Sequence, residues 1–186
     1  MRDKGSQNNQ GEGVMGFQAY KVLFLCEHNS ARSIMAEALL NRLGAGRFEA
    51  HSAGITPAGS ISPFAVGLLQ KINYTLSKLA PKPVETMVTD DAPVFDFIFR
   101  LSHHVPQDGH WPDFKGEPMV IDWFLPDPSD LSDSKSVVAQ AYGDMFARLS
   151  SRIDTLSQMS DEALKQFMPL RGRLERMGEE AFRLAS

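Results

Sequence analysis

Cys26 and Arg32 lie six positions apart, where an apolar run gives way to a segment with helical periodicity. In such a turn, successive backbone N–H groups form a nest for anions, and the amino terminus of the following helix adds positive potential. The Arg32 guanidinium adds a bidentate contact suited to phosphate or arsenate. The spacing therefore predicts a site for a tetrahedral oxyanion. The residues predicted to bind it are Glu27, His28, Asn29, Ser30, Ala31, Arg32 and Ser33.

Cys26 is the predicted nucleophile of this segment. The helix terminus and Arg32 favour the thiolate, which is the reactive form of the side chain. Beneath a bound oxyanion, a thiolate is placed for in-line attack that forms a covalent cysteinyl adduct. Ser30 and Ser33 can donate hydrogen bonds to the sulfur, and Asn29 can brace the loop. The alternative is a small core residue that ends a buried strand, but the spacing of Arg and Ser favours the nucleophile.

Asp127, between Pro126 and Pro128, is the candidate proton donor to a leaving group. The two prolines hold their loop stiffly, and a well-placed carboxylic acid contributes roughly 10² to 10⁴-fold in rate. Asp-Pro is also a common turn-forming pair. The residues alone therefore leave both interpretations of Asp127 open.

The elements that must position these side chains are strands alternating with helices, which indicates an α/β fold with a parallel sheet. Apolar runs bounded by turn residues predict strands at Tyr20–Leu25, Phe48–Ala53, Phe95–Leu101 and Met119–Ile121. Helical periodicity and capping signals predict helices from Ser33, over Ser62–Ile72 and over Val138–Leu156. Cys26 then lies at the carboxyl end of the first strand.

The chain of 186 residues, 42% of them hydrophobic, is long enough for one sizeable core. Residues 1–19 are rich in Gly, Asn, Gln and Ser, which predicts a flexible tail. Residues 20–158 form the predicted catalytic α/β domain. Residues 159–186 form a predicted helical extension, interrupted at Pro169.

Charge and cysteine content exclude several classes of function. The net charge of −4 comes with no run of Lys and Arg, so no nucleic-acid partner is expected. A single cysteine allows no internal disulfide, and no apolar stretch approaches the ~20 residues that span a bilayer. We therefore expect no membrane partner and a cytoplasmic location, where thiols stay reduced.

Histidines near residue 105 invite a metal-site interpretation, with His103, His104 and His110 close to Asp113. In an irregular stretch that contains proline, solvated histidines are the expected case, so neither a metal nor another cofactor is predicted. His28 is expected to face outward, because a thiolate needs no base to activate it.

Aromatic side chains follow the third and fourth predicted strands. They are Trp111, Phe114, Trp123 and Phe124. They could wall a cleft and stack on an aromatic substrate, or they could simply pack in the core.

The letters CEHNSARS, followed by IMAEALL, resemble the low-molecular-weight protein tyrosine phosphatase superfamily, most of all its arsenate reductase branch. The segments Ser52–Gly54, Gly116–Pro118 and Leu125–Pro128 resemble further motifs of that superfamily, and the likeness runs from about Tyr20 to Ile153. The resemblance implies a doubly wound, four-stranded parallel sheet with flanking helices. The roles it implies are Cys26 as nucleophile, Arg32 as oxyanion clamp, Ser33 as thiolate stabiliser, Asn29 as loop-shaping residue and Asp127 as general acid.

One departure from the arsenate reductase pattern concerns redox chemistry. Reductases of this type pass oxidation from the nucleophile to two further cysteines, whereas this chain has Cys26 alone. By local similarity, Ser102 and Trp111 stand in the places of those cysteines. Neither side chain can form a disulfide, so reductase activity would need an external thiol: glutathione, mycothiol or a glutaredoxin.

Three functions are consistent with these residues. The first is hydrolysis of phosphomonoesters, with phosphotyrosine as one candidate substrate, which needs only Cys26, Arg32, an acid such as Asp127 and water. The second is arsenate reduction through an external thiol, which the loop sequence favours and the missing cysteines oppose. The third is a catalytically degenerate relative that binds an oxyanion or a partner protein.

Overall fold

A computed structural model describes residues 19–105 and 112–166. Its strands form one parallel sheet with the order β2-β1-β3-β4. The strands are β1 (Tyr20–Cys26), β2 (Phe48–Gly54), β3 (Phe97–Arg100) and β4 (Met119–Asp122). This arrangement confirms the four-stranded parallel sheet expected from the sequence.

Helices flank the sheet, as expected. The α-helices of the described residues are α1 (Arg32–Leu43), α2 (Pro63–Lys71), α3 (Lys135–Ser157) and α4 (Asp161–Lys165). Short 3-10 turns occur at Leu76–Lys78, Val84–Met87 and Pro128–Asp130.

The two faces of β1 enter two different cores, because successive side chains of a strand point to opposite sides. Val22 and Phe24 face α1, α2 and α3, where apolar side chains form the larger core. Leu23 and Leu25 face a smaller core that includes Ile98 and is closed by the turn Val84–Met87. Full burial of each large apolar side chain contributes about 1.5–3 kcal/mol, so β1 is held firmly from both sides.

The order of the strands places a topological switch between β1 and β3. From β1 the chain moves outward through α1 to β2, and it later returns to the other side of β1 to add β3 and β4. In open α/β sheets, ligands bind outside the carboxyl ends of the strands at such a switch. Cys26 ends β1 here, and Leu101 follows β3 on the neighbouring strand.

Two local predictions differ from the structure. β3 is shorter than the predicted Phe95–Leu101, because only four of its residues pair with β1, and Phe95 is buried by packing in the smaller core instead. Ser62 precedes α2 as predicted, but its side chain makes no capping hydrogen bond. Its backbone N–H instead donates to the Ser30 carbonyl at 2.9 Å, which joins the start of α2 to the Cys26 loop.

The predicted division into a tail, a catalytic domain and an extension is not settled by the described residues. Residues 1–18, Pro169 and the rest of 167–186 lie outside them. Within them, α4 begins the predicted helical extension, and its Leu164 is buried in the larger core together with Met159. No described helix has the length and apolar character to cross a membrane.

Candidate active site

The loop between β1 and α1 closes around the sulfur of Cys26. Cys26 is only 1% exposed, and its Sγ lies 3.3 Å from the backbone N of Asn29 and 2.9 Å from the Oγ of Ser33. Asn29 has a φ of 45°, in the left-handed region that asparagine adopts more readily than most residues. This conformation turns the backbone so that an N–H of the loop points at the sulfur.

The segment 55–62 lies outside the Cys26 loop and donates hydrogen bonds to the backbone carbonyls of the loop. The N–H groups of Ile55, Thr56, Ala58 and Ser62 donate to the carbonyls of Cys26, Glu27, His28 and Ser30, at 2.9 to 3.2 Å. These four carbonyls therefore face away from the interior of the loop. Such a loop leaves its N–H edge for an anion, as the sequence predicts.

Gly54 is required beside this loop. A Cβ at position 54 would lie 2.8 Å from the Glu27 carbonyl oxygen and 2.9 Å from both the N and the Cβ of Asn29. Two of these neighbours are backbone atoms, which cannot rotate away. The glycine of the Ser52–Gly54 motif thus lets β2 approach the loop closely enough to brace it.

A chain of hydrogen bonds fixes the direction of the Ser33 hydroxyl. The backbone N–H of Lys82 can only donate, and it donates to the Oδ1 of Asn29 at 2.8 Å. The Nδ2 of Asn29 must then donate to Ser33 Oγ at 2.8 Å and to Ser52 Oγ at 2.9 Å. Because Ser33 Oγ accepts from Asn29, its own hydrogen is free to point at Cys26 Sγ, where it stabilises a thiolate.

The other branch of this chain ends on a buried carboxylate. Ser52 Oγ accepts from Asn29 and donates to Glu37, which is buried on α1. The Lys82 ammonium lies 3.4 Å from the same carboxylate oxygen. Sequence reasoning gave no role to Glu37 or Lys82. Glu37 lies one helical turn after Ser33, so helical periodicity could have placed it on the loop side, whereas nothing local marks Lys82.

Arg32 and Asp127 meet in the folded chain, although 95 positions separate them. Arg32 is 4% exposed, its Nη2 contacts Asp127 Oδ2, and its Nη1 donates to the Leu125 carbonyl at 3.1 Å. The other carboxylate oxygen, Oδ1, accepts from the backbone N–H and the hydroxyl of Ser129 at 3.0 and 2.7 Å. The structure thus brings the predicted clamp and the predicted acid to one place.

The remaining loop residues have peripheral contacts. His28 Nδ1 lies 3.2 Å from the Thr56 carbonyl oxygen at the exposed edge of the loop, and Glu27 contacts His104. Of the two serines predicted to reach the sulfur, Ser33 lies at hydrogen-bond distance, whereas Ser30 contributes its carbonyl to the contact with Ser62.

One further position of the sequence analysis, Ser102, directly follows Leu101, whose carbonyl accepts a hydrogen bond from Arg32. Ser102 follows β3, is buried, and accepts a hydrogen bond from the His104 N–H at 3.3 Å. The described part of the chain contains no group of three or more His, Cys, Asp or Glu side chains placed to hold a metal ion. His110 and Trp111 lie outside the described residues.

The described aromatic side chains mostly serve packing. Trp123 is fully buried with its ring 4.2 Å from that of Phe99, and Phe114 packs edge-on against Phe95 at 6.3 Å. Phe124 lies against the ring of His103, with a centroid distance of 3.8 Å. The core-packing interpretation therefore holds for Trp123 and Phe114.

Comparison with known proteins adds independent findings. The sequence model of the family described as low molecular weight phosphotyrosine protein phosphatase matches residues 21–109. A glutaredoxin arsenate reductase of Synechocystis sp. is 28% identical over 137 residues, which cover 74% of this chain and 98% of that protein.

Solved structures give the same likeness. An arsenate reductase from Archaeoglobus fulgidus DSM 4304 matches with a TM-score of 0.58 and 27% identity, covering 74% of this chain and 99% of that one. An arsenate reductase in the phosphate-binding state matches with a TM-score of 0.54 and 28% identity, covering 73% and 98%. The family match includes the whole Cys26 loop but ends before Asp127.

Proposed function

We propose that this chain, which resembles the low-molecular-weight protein tyrosine phosphatase superfamily and in particular its arsenate reductase branch, hydrolyses phosphomonoesters through a covalent Cys26 adduct. The relatives identify it as an enzyme of the class of cysteine-based phosphatases and arsenate reductases. Phosphotyrosine is one candidate substrate. A reducing compartment such as the cytoplasm would keep the single thiol available.

The first half of the reaction is transfer of the phosphoryl group to sulfur. The Cys26 thiolate attacks phosphorus in line with the ester oxygen, forming an S–P bond as the P–O bond to the leaving group breaks. The loop N–H groups and Arg32 stabilise the charge on the three non-bridging oxygens. Protonated Asp127 gives its proton to the departing oxygen.

The second half regenerates the enzyme. Water attacks phosphorus, and the Asp127 carboxylate takes its proton. The S–P bond breaks, inorganic phosphate leaves, and the electron pair returns to sulfur as the thiolate that Ser33 and the Asn29 N–H stabilise. Cys26, Arg32, Asp127 and water account for every bond and every proton of the proposed cycle.

The observation that supports this proposal is the contact between Arg32 and Asp127. An oxyanion clamped by Arg32 would have its leaving group within reach of the carboxyl that contacts Arg32 in the free enzyme. Binding exchanges one anionic partner of Arg32 for another, so the substrate itself releases Asp127 to act on the leaving group.

Arsenate reduction through an external thiol is the second candidate, favoured by the similarity to a glutaredoxin arsenate reductase. Cys26 would form an S–As bond with loss of water. An external thiol then attacks the Cys26 sulfur, so that arsenic takes the electron pair and leaves as arsenite. The resulting mixed disulfide is reduced by a second thiol, from glutathione, mycothiol or a glutaredoxin. Ser102 offers no internal thiol for this step.

The test is to measure p-nitrophenyl phosphate turnover beside arsenate reduction, for the wild type and for Cys26→Ser. The reductase assay contains glutathione or mycothiol together with a glutaredoxin. Cys26-dependent hydrolysis without thiol-coupled reduction is the expected result. Reduction alone would replace the first candidate by the second, and failure of both reactions would favour a degenerate oxyanion-binding protein.

A further inference from the structure

A buried arginine of α3 contacts the beginning of the segment 123–129, which is called the Asp127 loop below. Arg152 is 3% exposed, and its Nη1 donates to the Trp123 carbonyl at 3.0 Å. Its guanidinium carbon also lies 5.8 Å from the centroid of the Trp123 ring, at cation–π distance. Burial, with the nearby Arg148 charge as a second cause, lowers the pKa of Arg152 to about 10, so it is still cationic at neutral pH.

Trp123 is a fixed point from which the loop extends toward Asp127. Its ring is fully buried against Phe99, and its N–H donates to the Arg100 carbonyl at 2.8 Å. Four residues further along the chain is Asp127, with Pro126 and Pro128 restricting the backbone on both sides. A stiff segment of this length transmits a displacement at Trp123 to the carboxyl group.

Packing alone does not hold the loop against α3. A cleft of about 210 Å³ lies between them, lined by the loop residues Leu125–Pro128 and by Ala141, Asp144, Met145 and Arg148 of α3. With space on that side, hydrogen bonds contribute to the position of Asp127 beside the buried Leu125 and Pro128. Side chains make the hydrogen bonds of Arg152 to Trp123, of Arg32 to Leu125 and Asp127, and of Asp127 to Ser129, and backbone hydrogen bonds join Trp123 to Arg100 and Leu125 to Leu101.

The hydrogen bonds of Arg32 and Arg152 to the Asp127 loop respond differently when an oxyanion binds. Arg32 is the clamp for that oxyanion, so its contact with Asp127 is given up when a substrate binds. Arg152 donates to the Trp123 carbonyl and lies near the Trp123 ring, and no step of the proposed reaction uses these contacts. The hydrogen bond from Arg152 to the Trp123 carbonyl can therefore persist throughout the reaction.

We propose that Arg152 is a positioning residue for Asp127. It holds the Asp127 loop at Trp123, so that the carboxyl stays close to the oxyanion site when Arg32 binds the substrate instead of Asp127. This inference rests on the proposed function, because it assigns Arg152 to the proton-transfer step. It predicts a defect that grows with the need of the leaving group for a proton.

Two aryl esters separate this role from a merely structural one. Phenyl phosphate has a poor leaving group that needs the acid, whereas the leaving group of p-nitrophenyl phosphate departs with little help. In Arg152→Met, kcat/KM for phenyl phosphate, which reports the transfer of the phosphoryl group to Cys26, should fall roughly 10- to 100-fold, since displacement of a catalytic group by about 1 Å costs up to about 10²-fold. For p-nitrophenyl phosphate, kcat/KM should change less than about 3-fold, and inhibition by inorganic phosphate should be unchanged.

Arg152→Lys and Arg47→Met complete the comparison. The lysine keeps a cation near the Trp123 ring and should recover part of the phenyl phosphate rate; it also serves as the test variant if Arg152→Met does not fold. Arg47 likewise donates to backbone carbonyls, those of Ser157 and Met159 at 2.9 and 2.7 Å, but at the other edge of the sheet. Arg47→Met should lower both rates equally or neither. Equal loss of kcat/KM on both esters in the Arg152 variants would overturn the inference.

Hydrogen exchange gives a readout that needs no turnover. The Leu125 N–H donates to the Leu101 carbonyl at 3.1 Å, and the Ser129 N–H donates to Asp127. Both amides should exchange faster in Arg152→Met and stay as in the wild type in Arg47→Met. If the wild type hydrolyses neither ester, the proposed function has failed, and this measurement alone decides the inference. Unchanged exchange at Leu125 and Ser129 would then overturn it.

Discussion

Gly54→Ala is a small change with a large expected effect on the oxyanion loop. The new Cβ would lie 2.8–2.9 Å from atoms of Glu27 and Asn29, whereas ordinary van der Waals contact begins at 3.4 Å. The loop must therefore retreat by about 0.6 Å to bring the nearest of these atoms to ordinary contact distance. Because Asn29 supplies both an N–H to the sulfur and the side chain that directs Ser33, this retreat displaces the nucleophile from the groups that stabilise it.

The expected loss in kcat/KM for p-nitrophenyl phosphate is at least about 10-fold, since misplacement of a reacting group by about 1 Å costs up to about 10²-fold. Overpacking should also lower the free energy of unfolding by about 1–3 kcal/mol. Gly143→Ala is the matched control, because Gly143 lies in α3 and a Cβ there meets nothing within 4 Å. That control should keep its activity and gain up to about 1 kcal/mol of stability.

Steady-state kinetics, inhibition by phosphate and thermal unfolding of the two alanine variants form the assay. Phosphate should inhibit Gly54→Ala more weakly than the wild type, because the anion nest is distorted. A Gly54→Ala enzyme whose kcat/KM stays within about 2-fold of the wild type would contradict this role of Gly54, since a retreat of about 0.6 Å would then have no cost in catalysis.

Three further changes test other parts of the account. Asn29→Ala should slow iodoacetate alkylation of Cys26 and lower kcat by roughly 10-fold or more, because Ser33 loses the partner that directs its hydroxyl; an unchanged alkylation rate would contradict this role. Ser102→Cys should allow arsenate to produce an intramolecular disulfide with Cys26, seen by mass spectrometry, and its absence would count against the second candidate function. Leu149→Ala, at a fully buried position of α3, should cost about 2–5 kcal/mol of unfolding free energy while leaving the ratio of the two aryl ester rates unchanged.

Local sequence patterns were sufficient to predict the helices and strands and the position of the Cys26 loop. The apolar run before Cys26 and the helical periodicity after Arg32 are properties of neighbouring residues, so the strand, the turn and the helix could be predicted together. The ends of the helices and strands were harder to predict from the sequence. The length of β3, for example, depends on how many of its residues pair with β1.

The parts of the candidate site that depend on contacts between distant positions could not be predicted from local sequence patterns. The flanking prolines marked Asp127 as a candidate, but its catalytic role was indicated only by resemblance, because its contact with Arg32 spans 95 positions and no local pattern encodes it. Lys82 and Arg152 were not singled out at all. Lys82 acts on Asn29 through a backbone N–H, which any residue other than proline could supply. From the sequence, Arg152 is simply one residue of an amphipathic helix, and only the folded structure shows that it lies against Trp123.

The central claim is that Cys26 becomes covalently phosphorylated during ester hydrolysis. The most direct measurement is acid quenching during p-nitrophenyl phosphate turnover, followed by mass spectrometry of the peptide that contains Cys26. A phosphate adduct is expected on Cys26 in the wild type, more of it in Asp127→Asn because the attacking water loses its base, and none in Cys26→Ser. Release of p-nitrophenol by Cys26→Ser at the wild-type rate, with no adduct on the wild-type peptide, would contradict the covalent mechanism.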